Sequence, residues 1–190
     1  RVFISTGSDI ISLKFHYIIH TLFLSIPFKK LPNRKVKCMK ILPRIALIAA
    51  LYVAFTILPP FYAFSYGPIQ IRVSEALTVL PFLFPETIWG VTIGCFIANI
   101  FGQVGPWDIL FGTLITFLAA ITTSKVKKAF LAPLPPVLFN AFGVSFYLAK
   151  IFKVPYFYSV FYIMIGELIA CYGIGYPLLK ILLKRGNMRR

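Results

Sequence analysis

Charge is what this chain has least of. Only 13% of its 190 residues are Asp, Glu, Lys or Arg, while 59% are hydrophobic and 17% aromatic; an ordinary soluble domain carries about 25% charged residues. Acids are scarcer still, with Asp9, Glu75, Glu86, Asp108 and Glu167 making up the whole set. Histidine occurs only as His16 and His20, and the cysteines, Cys38, Cys95 and Cys171, lack the CxxC spacing of a zinc site or the clustering of a disulfide framework. No metal or cofactor is expected, and the cysteines read as small apolar packing residues. No GxxxxGK[ST] loop is present, so the chain has no phosphate-binding motif of its own for ATP. These absences leave an integral membrane protein as the class.

What is there is a large basic excess, a net charge of +15. In a soluble protein that would suggest nucleic acid, but here its placement matters more than its sum, and no nucleic-acid partner is expected. Residues 1–40 hold eight basic residues and one acid, and the remainder holds twelve and four. The first Met is Met39, directly before a basic residue and the first long apolar segment. Arg34, Lys35 and Val36 can be encoded by purine-rich codons of the kind found in a bacterial ribosome-binding site. The expectation is that residues 1–38 are an upstream reading or a disordered basic leader, with the functional domain at 39–190. A signal-like leader is the competing reading, but its apolar run from Phe15 to Phe28 falls short of the ~20 residues that span a bilayer and lacks a small-residue cleavage site.

From Met39 onward, apolar segments separated by Pro, Gly and charge fall at 41–58, 73–85, 87–101, 107–124, 131–149 and 156–183. They predict an all-α bundle of six transmembrane helices, the second and third short enough that residues 69–72 are expected to lengthen the second, or that 73–101 holds a broken element shielded from lipid. Lys40 and Arg44 precede the first span, Lys125, Lys127 and Lys128 follow the fourth, and Lys184, Arg185, Arg189 and Arg190 follow the sixth. The positive-inside rule puts both termini on the cytoplasmic side, with Lys150 and Lys153 as an exception outside.

Polar residues inside such spans are expensive and mark ligand, ion or proton sites. Glu167 is the acidic residue of the apolar run Phe157–Leu183, about 15 Å along the helix from Phe157. Arg72, Glu75, Trp107 and Asp108 fall at external helix ends, Asn99 near the external end of the third span, and Asn140 near mid-depth in the fifth. This predicts an external half-pocket for a small polar solute. Plainer roles compete: Arg72 with Glu75 forms an i,i+3 pair, Asp108 is a charge favoured at a helix N-terminus, Trp107 is an interfacial anchor, and Asn140 bridges helices. Ala46, Ala50 and Ala54 share a face, as do Gly90, Gly94 and Ala98, and small residues at this spacing let helices approach closely. The second stripe is assigned to packing within the subunit. The stretch 59–68 reads as a lid or a plain connector.

The segments YGPIQIRVSEALTVLPF at 66–82, GCFIANIFG at 94–102, WDILFGTL at 107–114, LAPLPPVLFNA at 131–141 and IGELIACYGIGYPL at 165–178 together resemble the QueT family, substrate-binding S components of energy-coupling factor (ECF) transporters. The resemblance covers nearly all of 39–190. It implies a six-helix subunit of the bacterial cytoplasmic membrane, N-in and C-in, that captures a queuosine precursor, a 7-deazaguanine such as preQ1 or preQ0. It also implies a transmembrane coupling subunit and two cytoplasmic ATPases as partners, with Ala46 and Ala50 facing the coupling subunit.

For such a solute, Glu167 could accept hydrogen bonds from the guanine-like edge and Asn140 or Asn99 could serve the carbonyl or ring positions. Asp108 or Glu75 could meet an ammonium group, and Trp107, Tyr172 and Tyr66 could stack on the ring. Two other classes remain: a stand-alone proton-coupled carrier using Glu167, against which no inverted repeat is evident, and an intramembrane enzyme, against which stands the lack of histidine after Met39. If the upstream reading of residues 1–38 is right, intact-mass analysis of the protein from its native host finds Met39 at or near the terminus. Peptides from Phe15–Lys30 at normal abundance would overturn it.

Overall fold

A computed structural model of the chain describes the backbone of residues 34–58, 62, 65–66, 71–102 and 104–186, with side chains from 41 to 184 within those ranges. The expectations for residues 1–33 and for most of 59–70 lie outside the described residues, as do the side chains of Lys40, Arg185, Arg189 and Arg190. Among the described residues every regular element is helical. Residues Cys38–Arg190 form one compact unit.

Six helical stretches follow in order. Helix α1 is Arg34–Ile57, α2 is Val73–Phe82, and α3 is Thr87–Phe101. Helices α4, α5 and α6 are Asp108–Lys125, Ala129–Phe152 and Tyr156–Lys184, each long and apolar enough to cross a membrane. The first three are apolar but shorter, Ile41–Ile57 being the apolar part of α1. The chain is thus a multi-pass membrane bundle, with large apolar side chains such as Phe146, Phe157 and Phe161 turned outward, as a protein solvated by lipid requires.

The second stretch is short for a physical reason. Helix α2 is a 3₁₀ helix over ten residues, and the 3₁₀ rise of about 2.0 Å per residue gives about 20 Å where an α-helix would give about 15 Å. Arg72 is extended, at φ −90° and ψ 101°, and Ile71 is not helical, so the expected lengthening through 71–72 does not occur; winding supplies the reach instead. Every residue from Ser74 to Phe82 is buried. This helix packs against α3, α4 and α6 and forms the centre of the bundle.

Three later helices contain π-helical turns: Asp108–Gly112 opens α4, Asn140–Val144 interrupts α5, and Leu168–Gly175 interrupts α6. Helix α5 ends at Lys153, whose φ of 54° and ψ of 38° form a left-handed cap, a common way to stop a helix.

At one end of the bundle Arg44 of α1 forms an ion pair with Glu86 in the turn before α3, and its guanidinium lies 4.6 Å from the centre of the Phe84 ring. The same two helices meet along the Gly90 and Gly94 face. A Cβ on Gly94 would lie 2.6 Å from Tyr52 Cβ and 3.0 Å from the Ala49 carbonyl, and one on Gly90 would lie 2.9 Å from the Ile45 carbonyl. This stripe packs inside the subunit, as its spacing suggests.

Gly94→Val should therefore push α1 off α3 and cost about 1–3 kcal/mol. Gly173→Ala, where a Cβ meets nothing within 4 Å, provides the control. Thermal unfolding in detergent should show a lower midpoint for the first and an unchanged one for the second.

Candidate substrate-binding site

The buried polar side chains gather in two adjoining groups. The first is built on an ion pair between Arg72, at the start of α2, and Asp108, at the start of α4. The Arg72 Nη2 lies 3.2 Å from Asp108 Oδ2 and 3.4 Å from Oδ1, and both side chains are almost wholly buried. Tyr147 of α5 donates its hydroxyl to Asp108 Oδ1 at 2.5 Å, and Asn99 of α3 donates to the Asp108 carbonyl at 2.9 Å. Arg72 Nε donates to the Ser65 carbonyl at 3.2 Å. Gly112 makes this convergence possible: a Cβ there would sit 2.9 Å from Asn99 Nδ2 and 3.0 Å from both Asp108 Oδ1 and the Tyr147 hydroxyl.

Tyr66, in the stretch between α1 and α2, covers the same group. Its ring centre lies 5.3 Å from the Arg72 guanidinium, and its hydroxyl donates to the Ala98 carbonyl at 2.6 Å. Burial pushes its phenol up to about 12, so it stays protonated and keeps that donor through the physiological range.

The second group centres on two carboxyl side chains. Tyr52 of α1 donates its hydroxyl to Glu75 Oε1. Asn140 Nδ2 of α5 donates to Glu167 Oε1 at 2.9 Å, and Cys171 Sγ lies 3.5 Å from Glu167 Oε2 and 3.4 Å from the Glu75 carbonyl. Cys171 thus sits between the α2 backbone at Glu75 and the Glu167 carboxyl, and the Arg72 guanidinium is within electrostatic range of both glutamates. Tyr52, Glu75, Asn140 and Glu167 are all buried. Two atoms in the combined cluster, Glu75 Oε2 and Asn99 Oδ1, are buried without a hydrogen-bond partner.

Of the eight residues expected to form a solute site, six come together: Arg72, Glu75, Asn99, Asp108, Asn140 and Glu167. The Arg72 side chain pairs with Asp108, 36 residues away, rather than hydrogen-bonding to the Glu75 side chain. The backbone explains this, because Arg72 is extended and its side chain is not in helical register with that of Glu75. Asp108 does head a helix, but it is held by Arg72 and Tyr147, which leaves it no free charge for an ammonium group.

Trp107 and Tyr172 lie apart from the buried polar atoms. Trp107 is 57% exposed and stacks on Phe111 at 5.5 Å, where both line an apolar groove of about 440 Å³ with Ile115, Phe146, Tyr147 and Lys150. Tyr172 packs its ring against Phe130 and Tyr176.

Tyr52, Tyr147 and Cys171 were not selected from the sequence. Their signal was faint. Tyr52 is the aromatic hydroxyl on the opposite side of α1 from Ala46 and Ala50, and Cys171 follows Glu167 at i+4, where side chains on one helix face meet.

Helix irregularity marks the same positions. Asp108 and Asn140 are the first residues of their π turns, and Glu167 directly precedes the third. Such turns recur at functional sites because they shift side chains out of the regular register. Chemically, the cluster offers acceptors from two carboxyl groups, a donor and an acceptor from each amide, and one guanidinium already committed to an acid. Among the described residues no group of His, Cys, Asp and Glu is arranged to hold a metal ion.

A curated bacterial relative, the queuosine precursor transporter QueT of Lactococcus lactis subsp. cremoris, is 47% identical over 75 residues, which cover 39% of this chain and 43% of the relative. The chain thus matches less than half the length of that relative. No solved structure matches it significantly. The family model described as QueT transporter matches residues 42–184, from the start of α1 to the end of α6, and on that match the chain belongs to the QueT transporter family.

Proposed function

We propose that this transporter is the substrate-capture subunit of an energy-coupling factor uptake system and binds a queuosine precursor of the 7-deazaguanine type in the buried cluster. One observation carries the reading: Glu167 and Asn140 lie side by side, joined by a 2.9 Å hydrogen bond, and present acceptor and donor atoms on adjoining helices. A guanine-like edge offers the complementary set, with a ring N–H and an exocyclic amine toward the carboxylate and a carbonyl toward the amide. The Lactococcus relative's name supports the solute class. The basic residues Lys125, Lys127 and Lys128 support an N-in, C-in orientation in the bacterial cytoplasmic membrane, with the polar cluster nearer the outer face.

Energy then comes from partners, a transmembrane coupling subunit and two cytoplasmic ATPases. The α1 surface suits such a docking role. Ala46 and Ala50 are exposed, Leu42 is 70% exposed on the same side, and Ile48, Ala49 and Tyr52 are buried behind them. An uncovered small-residue face on a membrane helix permits close approach of another helix. A stand-alone proton-coupled carrier is the second reading, favoured by the adjacency of Glu75 and Glu167. Uptake measured with and without the ATPase partners separates the two.

Glu167→Gln keeps size but puts an amide NH₂ where the solute needs an acceptor. It should cost about 1.5–3 kcal/mol, roughly ten- to a hundredfold in affinity, while the neutral side chain still inserts and folds. Equilibrium binding of preQ1 by the purified variant tests this, and an affinity within about twofold of the parent would move ring recognition to another residue.

Replacing Ala46 and Ala50 together with Leu should reduce uptake while leaving solute binding by the isolated subunit near normal. Equal loss of both would place these alanines in the subunit's own packing.

A further inference from the structure

We propose that the Glu75 carboxylate, held in place from α1 by Tyr52, is the receiving group for a protonated amine on the transported solute. This rests on the reading that the solute occupies the buried cluster, and it narrows the solute to one carrying a cationic arm.

The argument comes from accounting for each carboxylate oxygen. Asp108 is spoken for: Arg72 reaches both of its oxygens and Tyr147 donates to Oδ1. Glu167 has one donor on each oxygen, Asn140 on Oε1 and Cys171 facing Oε2, so each keeps a lone pair that can accept from a ring edge. Glu75 Oε1 receives Tyr52. Glu75 Oε2 has no partner, although the residue is only 1% exposed. A buried acceptor left unsatisfied is costly, and more so when charged, so this atom is the natural place for a donor brought in from outside.

Charge points the same way. The cluster holds three acids and one cation, and that cation is committed to Asp108 at 3.2 Å. Glu75 and Glu167 adjoin each other with no basic residue hydrogen-bonded to either among the described residues. Three buried acids against one guanidinium leave an excess of negative charge, and in a medium of low polarity that excess favours a ligand that brings positive charge. An ammonium group carries three donors and no acceptor, and so fits an acceptor-only carboxylate oxygen. The two acids thereby divide the work: Glu167 with Asn140 reads the neutral ring edge, and Glu75 takes the cation.

Tyr52 acts through Glu75. It is fully buried on α1, and its hydroxyl engages Oε1, which leaves Oε2 as the oxygen presented to the solute. One turn further along α1, the Thr56 hydroxyl lies 2.7 Å from Ser74 Oγ, so α1 pins the first turn of α2 at two points. Tyr52 is therefore a positioning residue.

The test compares ligands that differ only in that arm, using the purified full chain in detergent. Affinities are measured by calorimetry for preQ1, with an aminomethyl group, against preQ0, with a nitrile, and for benzylamine against benzonitrile as a simpler pair. The parent should prefer the amine of a pair by about tenfold or more. Glu75→Gln should abolish that preference while changing preQ0 affinity by less than about threefold. Tyr52→Phe should reduce the preference partway, a change in ratio that a purely structural role would not produce, and it serves as the deciding variant if Glu75→Gln does not fold.

A variant that melts like the parent and keeps the amine preference, or loses preQ1 and preQ0 equally, overturns the proposal, as does a parent with no amine preference in either pair. If the parent binds neither deazaguanine yet shows an amine preference that Glu75→Gln removes, the 7-deazaguanine reading falls and the Glu75 subsite stands.

Discussion

The arrangement of this bundle depends on one constraint: charge buried in the protein interior has to be compensated by the protein itself. The Arg72–Asp108 pair meets it by joining the start of α2 to the start of α4, with Tyr147 of α5 and Asn99 of α3 completing the hydrogen bonds. Four helices therefore converge on one residue, Asp108, at its carboxylate and its backbone carbonyl. Removing either charged partner would leave the other buried and unpaired, which in buried pairs costs about 3–5 kcal/mol. The pair is better understood as fixing which helices meet, and at what height, than as a net source of stability.

The second carboxyl group differs in kind. Glu75 and Glu167 receive neutral donors, Tyr52, Asn140 and Cys171, and no guanidinium or ammonium hydrogen-bonds to them among the described residues. Neutral donors orient a carboxylate but do not cancel its charge. The fold thus holds one carboxylate paired with a guanidinium, which ties helices together, beside two that are hydrogen-bonded only by neutral donors among the described residues.

Irregular helices make the division geometrically possible. A regular α-helix sends side chains outward at fixed angles, and a change of winding alters the direction in which neighbouring side chains leave it. The 3₁₀ winding of α2 and the π turns at or directly after Asp108, Asn140 and Glu167 re-aim them. Glycine contributes at the tightest point, where Gly112 leaves room for Asn99, Asp108 and Tyr147 to meet. The helices that carry the site are also those that depart from ideal geometry.

The sequence by itself determined the class and much of the map. Lipid selects for long apolar runs, so six apolar segments were visible at 41–58, 73–85, 87–101, 107–124, 131–149 and 156–183, close to the helices found, of which three are long enough to cross a membrane. Because polar groups inside such runs are costly, six of the eight site candidates could be picked out individually. Their partnerships could not. Local spacing favoured Arg72 with Glu75, but the extended backbone at Arg72 gave that guanidinium to Asp108, 36 residues away. Tyr52 and Tyr147 looked like ordinary apolar-run aromatics until tertiary packing placed their hydroxyls on carboxylates, and Trp107 and Tyr172 looked like ring-stacking candidates until it turned them elsewhere. Hydropathy is a property of a segment and survives in the sequence. Which carboxylate is neutralised and which is left open depends on distances between helices, and only the tertiary structure decides those.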